Sequence, residues 1–246
     1  CLRLVGSEMC IRDSGNTGHW IRLDTVLSGG SPGFKFGASV SLSGNGTKLA
    51  VGNHHQNSSE TGTVKIYEIT WPDSNPQQNQ SVNLLQTING HSSAERFGYS
   101  CSLSADGLVL AVGAPWAQKN IYGQNRTVGF VKIFKWNWGS SRFQTYLPTA
   151  WGSPGTEGKI WGNEIQGEKF GWNIELDRNG QILVVGLAGS MNNSDCVKIF
   201  KDNGNYYGYQ TAATIPNNGI LNMGWYLSFS RGEYLNTRNI IISMPK

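Results

Sequence analysis

No apolar run in this 246-residue sequence approaches the roughly 18–20 residues a helix needs to cross a bilayer. No helical membrane span is therefore expected. Charge is also sparse: Asp, Glu, Lys and Arg make up 15% of the chain, and the formal net charge of +4 comes from basic residues scattered singly. Clusters of the kind that track a phosphate backbone are missing, so nucleic acid is not an expected partner. The four cysteines, Cys1, Cys10, Cys101 and Cys196, form no CxxC pair and no Cys/His cluster, which argues against zinc. Their positions do not suggest a disulfide framework, and a Cys101–Cys196 bridge is not expected. The sequence has no GxSxG, no HExxH, no Walker loop and no carboxylate pair that recurs. With none of these constellations, catalytic residues and cofactors are not expected. Residues 1–14, CLRLVGSEMCIRDS, have no initiator Met and no signal-peptide core. They are read as a non-native or unstructured leader, and SEMCIRDS resembles a translated sequencing adaptor.

Glycine is abundant, at 32 residues. With few strong helix formers beside it, it points to many turns between short strands. Those strands repeat. FGASVSLSGNGTKLAVGN begins at Phe36, FGYSCSLSADGLVLAVGA at Phe97, FGWNIELDRNGQILVVGL at Phe170, and a weaker copy at Met223, with spacings of 61, 73 and 53 residues. The first three copies are each followed by a further element: GTVKIYEI from Gly62, GFVKIFKW from Gly129 and DCVKIFKD from Asp195. A less regular fourth stretch, such as NLLQTING from Asn83, then leads to the next copy. One unit is thus four short strands, A to D.

Strand A alternates: Val40 and Leu42, Cys101 and Leu103, Ile174 and Leu176 are separated by Ser41, Ser102 and Glu175. Period two predicts one packed face and one more polar face. Strand B is a continuous apolar run, as expected for burial on both faces. In strand C, Lys65, Lys132 and Lys198 recur at one position and are read as a solvated strand face. Tandem four-stranded units of this length predict an all-β fold, a β-propeller segment of antiparallel blades. Residues 15–33 are expected to be the last strand of a preceding blade. Residues 34–90, 91–166 and 167–217 are expected to be three complete blades, and 218–246 the first hairpin of a truncated one. Closure into a small ring is the alternative.

The Phe-Gly and Gly-Ala-Pro brackets resemble the FG-GAP repeats of the integrin α-chain N-terminal propeller, over residues 20–246. That resemblance implies a ring with more blades than this chain holds, and often a calcium loop in the A–B turn. Such a loop needs several hard oxygen ligands. The turns here, Ser43-Gly44-Asn45-Gly46, Ser104-Ala105-Asp106-Gly107, Asp177-Arg178-Asn179-Gly180 and Ser230-Arg231-Gly232-Glu233, depart from its motif. Asn-Gly and Asp-Gly are read as tight hairpins whose residues tolerate positive φ. Asp177 with Asn179 is the best remaining candidate for an ion.

Function is expected on the variable B–C loops, Asn53–Thr61, Pro115–Val128 and Leu187–Asp195, and on the D–A connection from about Leu147 to Lys169. All lie at one end of the blades, and variable loops on a rigid scaffold carry binding. His54, His55, Trp116, Tyr122, Trp151 and Trp161 are the candidate ligand-binding residues. Trp116 and Tyr122 suit stacking on a sugar or insertion into a partner, while Trp136 and Trp138 are expected to pack at the opposite end. Sequons at Asn45, Asn57, Asn79, Asn125 and Asn192 lend some support to secretion. The expected function is a non-catalytic module recognising a protein or carbohydrate ligand at the cell surface or outside the cell. The alternatives are part of a propeller enzyme (hydrolase, lyase or quinone-dependent oxidoreductase) with catalytic residues in further blades, and a structural spacer in a larger surface protein.

Overall fold

The computed structural model describes residues 10–12, 20–22, 25–29, 34–55, 61–70, 81–146, 158–188, 195–204, 208–216, 226–229 and 240–243. Its strands are β1 (Cys10–Arg12), β2 (Trp20–Arg22), β3 (Phe34–Leu42), β4 (Lys48–His55), β5 (Thr63–Thr70) and β6 (Ser81–Asn89). Then come β7 (Ser100–Leu103), β8 (Val109–Ala114), β9 (Gln118–Ile121), β10 (Gln124–Thr127), β11 (Phe130–Asn137), β12 (Arg142–Thr145) and β13 (Lys159–Trp161). The last are β14 (Phe170–Leu176), β15 (Ile182–Leu187), β16 (Asp195–Asp202), β17 (Tyr209–Pro216), β18 (Tyr226–Phe229) and β19 (Ile240–Ser243).

Three antiparallel sheets carry the A–B–C–D order: β3-β4-β5-β6, then β7-β8-β11-β12, then β14-β15-β16-β17. β18 and β19 pair as a hairpin, and Leu227 of β18 packs with Val184 and Val197 of the third sheet. Before the first sheet, Cys10–Arg12 pairs with Trp20–Arg22.

Two local expectations change in the second sheet. The loop 115–128 is not simply polar connection: it folds back as the hairpin β9–β10. The D–A connection contributes β13, so the outer position is shared. β12 pairs with the far half of β11 and β13 with the near half, Trp161 opposite Phe130.

The seams between sheets hold the core. One cluster joins Ala50, Val64 and Ile66 of the first sheet to Leu103, Leu110, Val112, Phe130 and Phe134 of the second. Another joins Ala111, Val131 and Ile133 to Phe170, Ile174, Leu183 and Phe200 of the third. Phe97 and Phe170 are at most 1% exposed, which contributes about 1.5–3 kcal/mol each. β8 is buried along its whole length, as its unbroken apolar run requires.

Strand A departs from the expected polar face. All four residues of β7 are buried, because the serines serve the seam. Ser39 and Ser100 donate their hydroxyls to the carbonyls of Gly98 and Gly171 in the next sheet, at 3.0 and 2.8 Å. The amides of Leu103 and Leu176 donate to Ser41 and Ser102, at 2.8 and 2.9 Å. A buried hydroxyl bonded to backbone across a seam positions one sheet against the next, where a Val would leave an amide unpaired. Gly52 and Gly113 complete the contact: a Cβ at Gly113 would collide with Ser100 Oγ and the Gly171 carbonyl. Nor is the strand C lysine row a freely solvated face. Lys65, Lys132 and Lys198 are half-buried, and Lys198 donates to Asn163 in the connection between β13 and β14.

Candidate rim site

The site begins with the Phe-Gly step. The ladder slips by two residues between Phe36 and Ser39 in β3, and between Phe170 and Asn173 in β14. Gly37, Gly98 and Gly171 take φ of 81°, 82° and 87°, a region closed to most side chains. Phenylalanine enters the seam, glycine makes the bulge, and the following residue leaves the ladder. Bulges re-aim side chains in this way. That following residue is Ala38, Tyr99 or Trp172 in the three copies. Sequence reasoning passed over Tyr99 and Trp172, although the residue after Phe-Gly changes from Ala to Tyr to Trp across the three copies.

Tyr99, Trp116 and Trp172 form one cluster. Tyr99 lies 5.0 Å from Trp116 and 4.8 Å from Trp172 between ring centroids, and the two indoles are 5.2 Å apart. His54, 7% exposed at the end of β4, reaches Tyr99 at 4.9 Å. Residues from three consecutive sheets thus meet at one end of the blades. Such tilted pairs add about 0.5–1.5 kcal/mol each beyond area burial. Two cations cover the indoles. The Arg96 guanidinium is 3.9 Å above Trp116, and the Lys169 ammonium is 5.4 Å from both Trp116 and Trp172. Both hold left-handed backbone, with φ of 53° and 50°. Glu95, 5% exposed, accepts the His91 amide at 2.7 Å and braces the turn before Arg96.

Beside the cluster opens a cavity of about 530 Å³, walled by His54, Tyr99, Trp172, Ser100, Cys101 and Glu175 among others. Burial pushes the Cys101 thiol up to about 11. Cys101 is free and buried, a small hydrophobic wall residue at neutral pH.

Of the remaining candidates, Tyr122 stands alone. It is 95% exposed at the tip of β9–β10 with φ of 51°. Trp161 does not join the cluster; it packs edge-on against Phe130 at 5.2 Å. Trp151 and the side chain of His55 lie outside the described residues. At the opposite end, Trp136 packs on Phe143 at 5.3 Å under the Lys48 ammonium at 4.3 Å. Trp138, expected to pack there, stands edge-on to Trp136 at 6.2 Å while 74% exposed.

Asp177 is 5% exposed, and its Oδ1 accepts the amides of Gln181 and Ile182 at 2.6 and 2.8 Å. It closes the A–B turn as Ser104 does in the second copy, where Oγ accepts the Val109 amide at 2.9 Å. In these turns positive φ falls on Gly46, Gly107 and Gly180, not on the preceding Asn or Asp. Asn45 and Asp106 instead accept hydrogen bonds from residues two positions on either side. Successive turns also bond to each other: the Gly44 amide donates to Ala105 O at 2.7 Å, and the Ala105 amide to Arg178 O at 2.9 Å.

Among solved structures, the chain is similar to the crystal structure of the Myceliophteria thermophila Cps50 (Swd1) β-propeller domain, at 12% identity and a TM-score of 0.43, over 86% of this chain and 55% of that one. It is also similar to the Dos1 propeller, at 11% identity and a TM-score of 0.40, over 92% of this chain and 43% of that one. The chain spans about half the length of these propellers. No family model and no curated protein matches it. By the order and pairing of its own sheets, the chain is built of four-stranded antiparallel β-propeller blades.

Proposed function

We propose that this chain is a non-catalytic binding module of FG-GAP type, which recognises a protein partner through the rim formed by Tyr99, Trp116 and Trp172. The observation that carries this reading is the convergence of those rings from consecutive blades beside an open cavity. Rigid aromatic side chains give large contact area for little conformational entropy, and they are enriched where partners bind. Tyr122 supplies a second contact at the edge, since the hairpin tip holds it in solvent. The FG-GAP assignment is supported by the role of its residues: Phe enters the seam, Gly makes the bulge, and the strand B glycine admits the neighbouring backbone. A cell-surface or secreted setting is part of this proposal, with the exposed sequon Asn125-Arg126-Thr127 on β10 in its favour.

The test is selection of a displayed peptide library on the 246-residue chain, repeated on the variant Trp116→Ala/Trp172→Ala. Peptides enriched on the parent chain and lost from the variant, with the far-ultraviolet circular dichroism of a folded β protein retained, support the reading. No enrichment above a blank surface, or the same peptides on both proteins, overturns it.

A further inference from the structure

The residue before Phe-Gly is basic in each of the first three copies: Lys35, Arg96 and Lys169. From this repetition and its setting we propose that the rim binds an acidic segment of its protein partner, with carboxylates received by Lys35, Arg96 and Lys169 along successive blades. The proposal rests on the protein-binding reading above and specifies the chemistry of the partner.

Four observations carry it. First, Arg96 and Lys169 form no ion pair among the described residues; each is seated on an indole ring. Salt bridges elsewhere, Lys119–Glu164 at 3.1 Å and Lys135–Asp202 at 2.8 Å, show that the chain pairs its lysines where a carboxylate is in reach. Second, the π-faces are already covered by these cations. A cationic ligand would meet two like charges, whereas an anion meets charges that stacking has oriented and partly stripped of water. Third, Arg96, which caps the short 3-10 turn Ser93–Glu95, and Lys169 both hold left-handed backbone, a conformation that residues other than glycine adopt only where the surrounding structure imposes it. Such strain gathers where a surrounding structure holds a side chain for use, and buried Glu95 braces the turn at Arg96. Fourth, Lys35 is exposed and pairs across the ladder with His54, which joins the rim to the aromatic cluster. The one carboxylate in the cavity wall, Glu175, lies three residues further along β14 than Trp172, opposite Val184.

The probe is a fluorescein-labelled hexaglutamate peptide, with hexalysine and a sulfated heparin-type hexasaccharide beside it, each read by anisotropy at 150 mM salt. Hexaglutamate is expected to bind the chain. The triple variant Lys35→Gln/Arg96→Gln/Lys169→Gln is expected to weaken it by at least about 30-fold, since charge-assisted contacts are the strong ones. The equally discharged control Arg142→Gln/Arg178→Gln/Lys201→Gln, all exposed and at the other end of the blades, is expected to change it by less than about threefold. Equal loss in both variants, no hexaglutamate binding, or preference for hexalysine overturns the proposal. Tighter, rim-dependent binding of the hexasaccharide overturns it in favour of an anionic glycan. Library peptides that depend on Trp116 and Trp172 but carry no acidic residues overturn this inference while leaving the protein-binding reading intact. Absence of any such peptide removes both.

Discussion

Two regions a few residues apart in the chain follow opposite rules. In the seam, successive copies use the same chemistry: Phe97 and Phe170 in the core, Ser39 and Ser100 donating across, Gly52 and Gly113 beneath the next backbone. On the rim they diverge: Ala38, Tyr99 and Trp172 occupy one position, while His54, Pro115 and Ala188 occupy another, two residues past the strand B glycine. The bulge at Phe-Gly separates the two regimes. On one side of it side chains and backbone are packed against the adjacent blade, so the residues are held to one solution. On the other, side chains leave the ladder and are free to differ, which is how a repeat can keep its scaffold and vary its surface.

Gly113→Ala should have the largest effect, because it strikes the seam and leaves the rim untouched. The added methyl meets Ser100 Oγ and the backbone oxygen of Gly171, and chemical denaturation should show a loss of about 3 kcal/mol or more, at the upper end for overpacking. Ser102→Ala comes next. It leaves the Leu176 amide without its acceptor in a buried seam, and the same measurement should lose about 2 kcal/mol. Alkaline titration sharpens the view of the seam wall. The Cys101 thiol ionises near its ordinary value of 9.0 when unfolded but is pushed up to about 11 by burial. The unfolded chain therefore releases its proton first, so this contribution is intact below about pH 9 and lost as pH rises towards 11. Burial raises Tyr209 in the same direction. Cys101→Val should flatten part of the fall in stability between those pH values; an unchanged slope would show that the thiol is not shielded. The smallest effect belongs to the rim periphery. Tyr122→Asn removes an almost fully exposed ring from left-handed backbone, and Asn tolerates that conformation better. Its stability should match the parent or exceed it by a few tenths of a kcal/mol. A loss above about 1 kcal/mol would show that Tyr122 is packed rather than presented.

Much of the fold was legible because period-two alternation and the repeated Phe-Gly register report burial directly. The continuous apolar run of Val109–Ala114 reads as a strand covered on both faces, and it is one. Strand A was misread on one face because a serine is polar in composition but buried in place; Ser102 faces a partner strand whose amide it accepts, not water. The outer strand shared by Arg142–Thr145 and Lys159–Trp161 was hidden for another reason. Short pieces carry little periodicity, and their pairing with β11 is decided by that strand's open edge. The rim was half legible. Trp116 and His54 stood out as chemistry on variable loops, but Tyr99 and Trp172 looked like ordinary strand residues until the bulge turned them outward.

The repeated strands, their order within each blade and the apolar positions that enter the seams follow from local alternation and from repetition along the chain. Only the tertiary structure decided which aromatic rings meet and which cations they hold. Tyr99, Trp116 and Trp172 are brought together by packing whole blades against each other. That packing is set by close contacts at Gly52, Gly113 and their serine partners, and no local pattern records the distance it imposes between side chains far apart in the chain.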